Sequence, residues 1–75
     1  MRDRTVWVPS PSGELEIVVT GEALSSLRIE GVALQDGASL TRYYRSVIAE
    51  IALEKALNSG GLVSKITLSK SDFED

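Results

Sequence analysis

The segment from Leu40 to Asn58 places the strongest constraint on the fold, because its pattern predicts one long helix with two apolar sides. At about 100° per residue, one apolar stripe contains Tyr43, Tyr44, Val47, Ile48 and Ile51. The roughly opposite side contains Ala49, Leu53, Ala56 and Leu57. The N-terminal half of the helix keeps a polar back, whereas the C-terminal half is apolar nearly all round, and a helix of that kind is buried on more than one face. The sequence therefore predicts that something besides a small sheet covers this helix.

The second apolar side of the helix could be covered in two ways. The segment Leu62–Leu68 alternates weakly and could fold back over the helix as a fourth short strand or an arm. A second subunit could cover it instead, which predicts a homodimer with Ala49, Leu53, Ala56 and Leu57 at its interface. Because 75 residues suffice for one domain only, we expect residues 1–68 to form a single domain and 69–75 to be a frayed acidic tail.

Three strands are expected before the helix. The segment Thr5–Val8 is rich in β-branched and aromatic residues, and Glu14–Thr20 alternates apolar and polar side chains. A third strand is expected over Leu24–Glu30, after a tight turn at Gly21. The short connections predict an α+β fold in which a three-stranded antiparallel meander precedes the long helix.

The helix ends carry their own signals, and the composition excludes several kinds of chemistry. Ser39 is the expected N-cap, and Gly60-Gly61 is a strong stop signal. The chain has no histidine and no cysteine, which excludes imidazole acid/base chemistry, thiolate metal sites and disulfides. Glu14 and Glu16 lie on the polar face of their strand, where carboxylates are solvated. We expect no enzyme, no metal, no cofactor and no membrane partner, and the cytoplasm is the expected compartment.

The charge pattern bears on nucleic acid. A net charge of −3 argues against a general polyanion binder but leaves room for a local basic patch. Arg42 and Arg45 flank two tyrosines at the helix start, where they could hold phosphates, and Arg28 faces outward on the expected third strand. Alternatively, the tyrosines are core or interface residues and the arginines are merely solvated. Arg2 and Arg4 are expected to add little, because Asp3 lies between them.

A resemblance to a known family follows from several of these features. They are Gly13, the alternating Leu15-Ile17-Val19, Gly21, the run Leu27-Arg28-Ile29-Glu30, and the helix from Val47 to Leu57. In this order they resemble the core of the YbaB/EbfC family of small bacterial nucleoid-associated proteins, without the family's N-terminal helix. The resemblance implies an α+β subunit, an intimate homodimer and sequence-tolerant binding of duplex DNA at the nucleoid.

Two hypotheses of function follow. In the first, the chain is a small dimeric DNA-associating protein that uses Arg28, Arg42 and Arg45. In the second, it is a protein–protein interaction module or regulatory accessory subunit that does not bind DNA. Such a module could receive a partner by strand addition at the edge of the first strand or at Leu62–Leu68. Trp7 is interpreted as a sheet anchor rather than a base-stacking platform.

Overall fold

The computed structural model describes residues 1–11, 13–27, 36–60 and 63–74. The elements in chain order are β1 (Arg4–Ser10), β2 (Gly13–Val19), α1 (Gly21–Ser26), α2 (Gly37–Tyr43), α3 (Arg45–Asn58), β3 (Lys65–Leu68) and a terminal 3-10 turn (Lys70–Phe73). The predicted α+β class is confirmed.

The sheet is mixed, with strand order β1-β2-β3. The strands β1 and β2 form an antiparallel hairpin in which Val6 lies opposite Ile17. The third strand pairs with β2 in parallel and places Ile66 opposite Ile17. Three helical segments separate β2 from β3 and return the chain to the same end of the sheet, which is what parallel pairing requires. The predicted antiparallel meander was therefore wrong, and part of the Leu62–Leu68 segment is the third strand of the sheet.

The segment after β2 is a helix where a strand was predicted. Residues 24–26 belong to α1 and Leu27 is its C-cap, while 28–30, with Arg28, lie outside the described residues. The Thr20 hydroxyl accepts a hydrogen bond from the Ala23 N–H at 3.2 Å, which caps the first turn. Ala23 and Leu24 are fully buried, and this tertiary packing outweighs the strand-like alternation that follows.

Gly21 has a different role from the predicted turn. It is the first residue of α1, and among the described residues only Gly13 and Gly60 have positive φ. A Cβ atom at Gly21 would collide with the backbone carbonyl of Met1, so the residue is small because the chain start packs directly against it. Its N–H donates to the Asp3 carboxylate at 2.7 Å.

The predicted single helix Leu40–Asn58 is two helices, α2 and α3, interrupted at Tyr44. The N-cap is Asp36 rather than Ser39, because the Asp36 carboxylate accepts a hydrogen bond from the Ser39 N–H at 2.7 Å. The end at Asn58 was predicted correctly, and Gly60 follows it with φ +105.

The helices cover one face of the sheet. The inward strand residues and the helices bury a continuous core: Val6, Val8, Leu15, Ile17, Val19, Ala23, Leu24, Leu40, Ile48, Ala52, Ala56, Ile66 and Leu68. The buried helix line differs from the predicted stripe, since Tyr43 is 61% and Val47 43% exposed. Ala52 and Ala56 take their place at the sheet, and their small side chains allow the helix to approach closely.

The segment predicted to be a frayed tail contains an ordered turn in the structure. Ser69 and Asp72 form a capping box at the start of Lys70–Phe73, and the Asp72 carboxylate also pairs with Lys55 at 3.0 Å. Within the described ranges, no helix has the length and apolar character needed to cross a bilayer.

Candidate functional site

A groove runs between the outer edge of β1 and the adjacent side of α2 and α3. It has a volume of about 420 Å³ and is lined by Arg4, Thr5, Val6, Trp7, Ala38, Thr41, Arg42 and Arg45. Thr41 and Arg42 each lie three or four residues from both Ala38 and Arg45, so the four residues lie on one side of the helices. The fold thus brings three arginines from two distant parts of the sequence to one place, which we call the arginine groove.

One arginine is fixed to the strand edge. A terminal guanidinium nitrogen of Arg45 donates to the backbone carbonyl of Trp7 at 2.9 Å. This carbonyl is available because β1 is an edge strand and its Trp7 backbone is not used by β2. Pro9, on the same outer edge, has no N–H to donate. The hydrogen bond holds a positive charge beside the strand while leaving it accessible to solvent.

The three arginines of the groove form no ion pair with the described residues. The ion pairs within the described part of the chain are Lys55–Asp72 at 3.0 Å and Lys65–Glu16 at 3.6 Å, and neither includes an arginine of the groove. Asp36 is close enough for Arg4 to act on its ionisation, although the two are not in ion-pair contact. The groove is therefore a positive patch on a chain whose net charge is −3.

Among the described residues, the pKa values of two carboxyl groups are shifted, and both carboxylates accept capping hydrogen bonds at the start of a helical segment. The Ser39 backbone N–H is the main cause that lowers the pKa of Asp36, with the Ser39 hydroxyl and Arg4 acting in the same direction. Burial alone would raise the pKa of Asp72, but hydrogen bonds from the Ser69 N–H and from Lys55 outweigh burial and lower it. Both groups are held ionised as structural acceptors, which is unlike a general acid.

Trp7 occupies the open face of the sheet. Its neighbours Val6 and Val8 point into the core, while Trp7 is 51% exposed and also lines the arginine groove. The interpretation of Trp7 as a sheet anchor was therefore wrong. Glu16 is its partner on β2, and Lys65 is the partner of Glu16 on β3.

A second, apolar groove lies at the hairpin end of the molecule. It has a volume of about 230 Å³ and is lined by Ser10, Pro11, Leu15, Leu53, Ala56, Leu57 and Val63. Of the four predicted interface residues, Ala56 packs in the subunit's own core and is 7% exposed, and it also lines this groove. Ala49 and Leu53 are half-buried against the core, and Leu57 is 73% exposed.

The structure brings together Arg42 and Arg45, as the local sequence predicted, whereas Arg28 lies outside the described residues. Arg4 was not among the predicted binding residues, because the neighbouring Asp3 was expected to offset its charge. In the fold, Asp3 is turned to the Gly21 N–H and does not pair with Arg4. The tyrosines between the two helical arginines differ: Tyr44 packs half-buried and meets exposed Tyr43 edge-to-face, with ring centroids 4.9 Å apart.

Comparisons with known proteins find no relative of this chain. No family model matches the chain, and no significant match is found among curated proteins or solved structures. Over the described ranges, no group of three or more acidic, histidine or cysteine side chains is placed to hold a metal ion. The arginine groove and the apolar groove are therefore the features from which a function can be argued.

Proposed function

We propose that this chain is a small non-enzymatic binding module that associates with nucleic acid through the arginine groove, without strong sequence preference. One observation carries the proposal: Arg4, Arg42 and Arg45 converge on one groove and none has a carboxylate partner among the described residues. Guanidinium groups bind phosphate oxygens through parallel N–H donors, and such contacts supply affinity without reading the bases. The cytoplasm, at the nucleoid, is the compartment that suits this ligand.

The distribution of charge matters more than its sum. A protein with negative net charge can still bind a polyanion when several of its cations are collected on one surface. Here Arg4, Arg42 and Arg45 line one groove, and the ion pairs among the described residues, Lys55–Asp72 and Lys65–Glu16, do not include them. Three phosphate contacts give weak, salt-sensitive binding rather than tight binding.

Binding is proposed in preference to catalysis because of the available side chains. The sequence has no histidine or cysteine. The two carboxylates with perturbed pKa values, Asp36 and Asp72, are lowered by cap hydrogen bonds rather than raised toward neutral pH. The proposal also does not depend on the resemblance to the YbaB/EbfC family, since the hairpin expected at Gly21 is replaced by α1.

A gel-shift titration of duplex and single-stranded DNA, at low and moderate salt, tests the proposal. Arg42→Ala should weaken binding and reduce the slope of log affinity against log salt by about 0.7 to 0.9. Lys70→Ala is the matched control, because it removes the same charge from an exposed side chain that lines a different surface pocket and should leave affinity unchanged. No shift at low salt and high protein concentration, or equal loss in both variants, would contradict the proposal.

A second candidate function is protein association through the apolar groove, with another copy of the chain as the partner. The observation that favours it is Leu57, which is 73% exposed beside a groove lined by Leu53 and Val63. A protruding side chain next to a groove suits a two-fold interface, in which the Leu57 side chain of each copy enters the apolar groove of the other. Sedimentation should give a dimer mass at micromolar concentration, and Leu57→Ala should dissociate it. A monomer mass for the unaltered chain would exclude this candidate.

A further inference from the structure

We infer that the ligand of the arginine groove is single-stranded nucleic acid, and that Trp7 stacks on one of its bases. The inference rests on the proposed function and adds the strandedness of the ligand and a residue that selects it. It starts from the position of Trp7, which lines the groove and is also half exposed on the open face of the sheet. The Trp7 backbone carbonyl lies in the groove, where it accepts from Arg45, and the indole ring projects from the same strand edge toward the open face. A strand whose phosphates are held in the groove could therefore reach the ring by crossing the edge of β1.

The carboxylate opposite the ring is paired with a lysine. The residue opposite Trp7 on β2 is Glu16, whose charge would otherwise repel a phosphate backbone. Lys65 on β3 pairs with this carboxylate at 3.6 Å and offsets its charge. Trp7, Glu16 and Lys65 thus form a row across the three strands. The arginine groove lies at the β1 end of this row.

The ring also distinguishes single strands from duplexes. In a duplex the faces of the bases are covered by their neighbours, so an aromatic side chain stacks only on unpaired bases. Proteins that bind single strands without sequence preference combine a cationic groove with such aromatic platforms. The arginine groove with Trp7 supplies both parts on one edge of the sheet.

An acidic peptide is the other extended polyanion, and the strand edge disfavours it. A peptide that added a strand to β1 would need the outward backbone groups of that strand. The Trp7 carbonyl is already bonded to Arg45, and Pro9 has no N–H. Stacking and phosphate contacts use neither group, so a nucleic acid fits the groove without displacing Arg45.

The experiment uses the fact that Trp7 is the single tryptophan of the chain. The full chain is titrated with oligothymidylate at low salt while tryptophan fluorescence and the anisotropy of a labelled oligomer are recorded. We expect quenching to saturate together with anisotropy, and a duplex of equal length to bind more weakly. Trp7→Ala should weaken binding about tenfold, whereas Trp7→Phe, which keeps an aromatic face, should retain most of it. Circular dichroism checks that both variants fold.

The outcomes separate this inference from the proposed function. If anisotropy rises without quenching and Trp7→Ala binds normally, the stacking inference fails while the proposed function stands. If neither nucleic acid raises the anisotropy, both fail. Duplex binding equal to or tighter than single-strand binding overturns the inference. Competition by polyglutamate as strong as that by oligothymidylate would identify an acidic protein as the ligand and overturn it as well.

Discussion

The two edge strands of the sheet, β1 and β3, each accept a hydrogen bond from a basic side chain of α3, but the two contacts have different roles. On β1, the Arg45 guanidinium donates to the Trp7 carbonyl at 2.9 Å, and on β3, the Lys55 ammonium donates to the Thr67 carbonyl at 2.9 Å. An unpaired strand edge is a template for pairing with other chains, and a cation placed on it discourages that pairing. Both edges are therefore closed by a long basic side chain from α3.

The difference lies in the counter-charge. Lys55 also contacts the Asp72 carboxylate at 3.0 Å, and Asp72 in turn caps the terminal turn through Ser69, so this edge is neutral and tied down. Arg45 has no such carboxylate among the described residues and stands beside Arg4 and Arg42. An edge cation with a local counter-ion is structural, whereas one without it remains available to a ligand.

The largest expected effect is the loss of stability when a buried side chain of the β3 edge strand is truncated. Leu68→Ala on β3 should lower the free energy of unfolding by about 2–5 kcal/mol, because Leu68 is fully buried. Leu57→Ala is the same change at a 73% exposed position and should alter it by less than about 0.5 kcal/mol. Urea denaturation measures both. An equally large loss for Leu57→Ala would mean that a second subunit buries this side chain.

The Lys55–Asp72 pair should show measurable coupling in a double-mutant cycle. Its side chains are 40% and 21% exposed, so solvent screening limits the coupling to about 0.5–1 kcal/mol. Combining Arg45→Ala with Asp72→Ala should give effects that simply add, since Arg45 does not contact Asp72. Coupling that survives 1 M salt, or coupling in the Arg45 cycle, would break the distinction between the two edges.

Removing Arg45 should open the β1 edge. In Arg45→Ala the Trp7 carbonyl loses its donor and becomes free to pair with another chain. We expect little change in unfolding free energy, within about 1 kcal/mol, but increased self-association with concentration in light-scattering measurements. Arg45→Lys, which keeps a cation at the edge, is the control and should remain dispersed. An Arg45→Ala variant as dispersed as the parent chain would show that the cation does not protect this edge.

The smallest expected effect is the acid response. Because the pKa values of Asp36 and Asp72 are lowered in the folded chain, their contribution to stability is complete above the unfolded value of 3.8 and is lost as pH falls through the folded values. The Asp72 contacts at the β3 edge should therefore weaken below about pH 4. Denaturation midpoints against pH test this, and Asp72→Asn should flatten the acid limb. An unchanged limb in Asp72→Asn would be inconsistent with the lowered pKa.

Local patterns predicted the parts of the fold that local forces decide. The alternation of Leu15, Ile17 and Val19 identified β2, and the glycines after Asn58 identified the end of α3. The direction of β3 could not be predicted, because a long connection permits either orientation. The helix α1 was missed because its Thr20 cap and the burial of Leu24 depend on the folded context.

The candidate site divides in the same way. Arg42 and Arg45 are three residues apart on the helical segment, and this spacing already suggested a shared surface. Arg4 joins them only through the packing of β1 against α2 and α3, and the exposure of Trp7 depends on which face of β1 the helices cover. Neither property has a local signal in the sequence.

The late position of β3 has a consequence for synthesis of the protein. The hairpin and all three helices precede Lys65–Leu68 in the chain, yet this strand supplies Ile66 and Leu68 to the core. While those residues are still inside the ribosome, β2 lacks its parallel neighbour. The sheet can therefore be completed only after Lys65–Leu68 has been synthesised, and a chain truncated ahead of Lys65 would expose the core side chains that this strand covers.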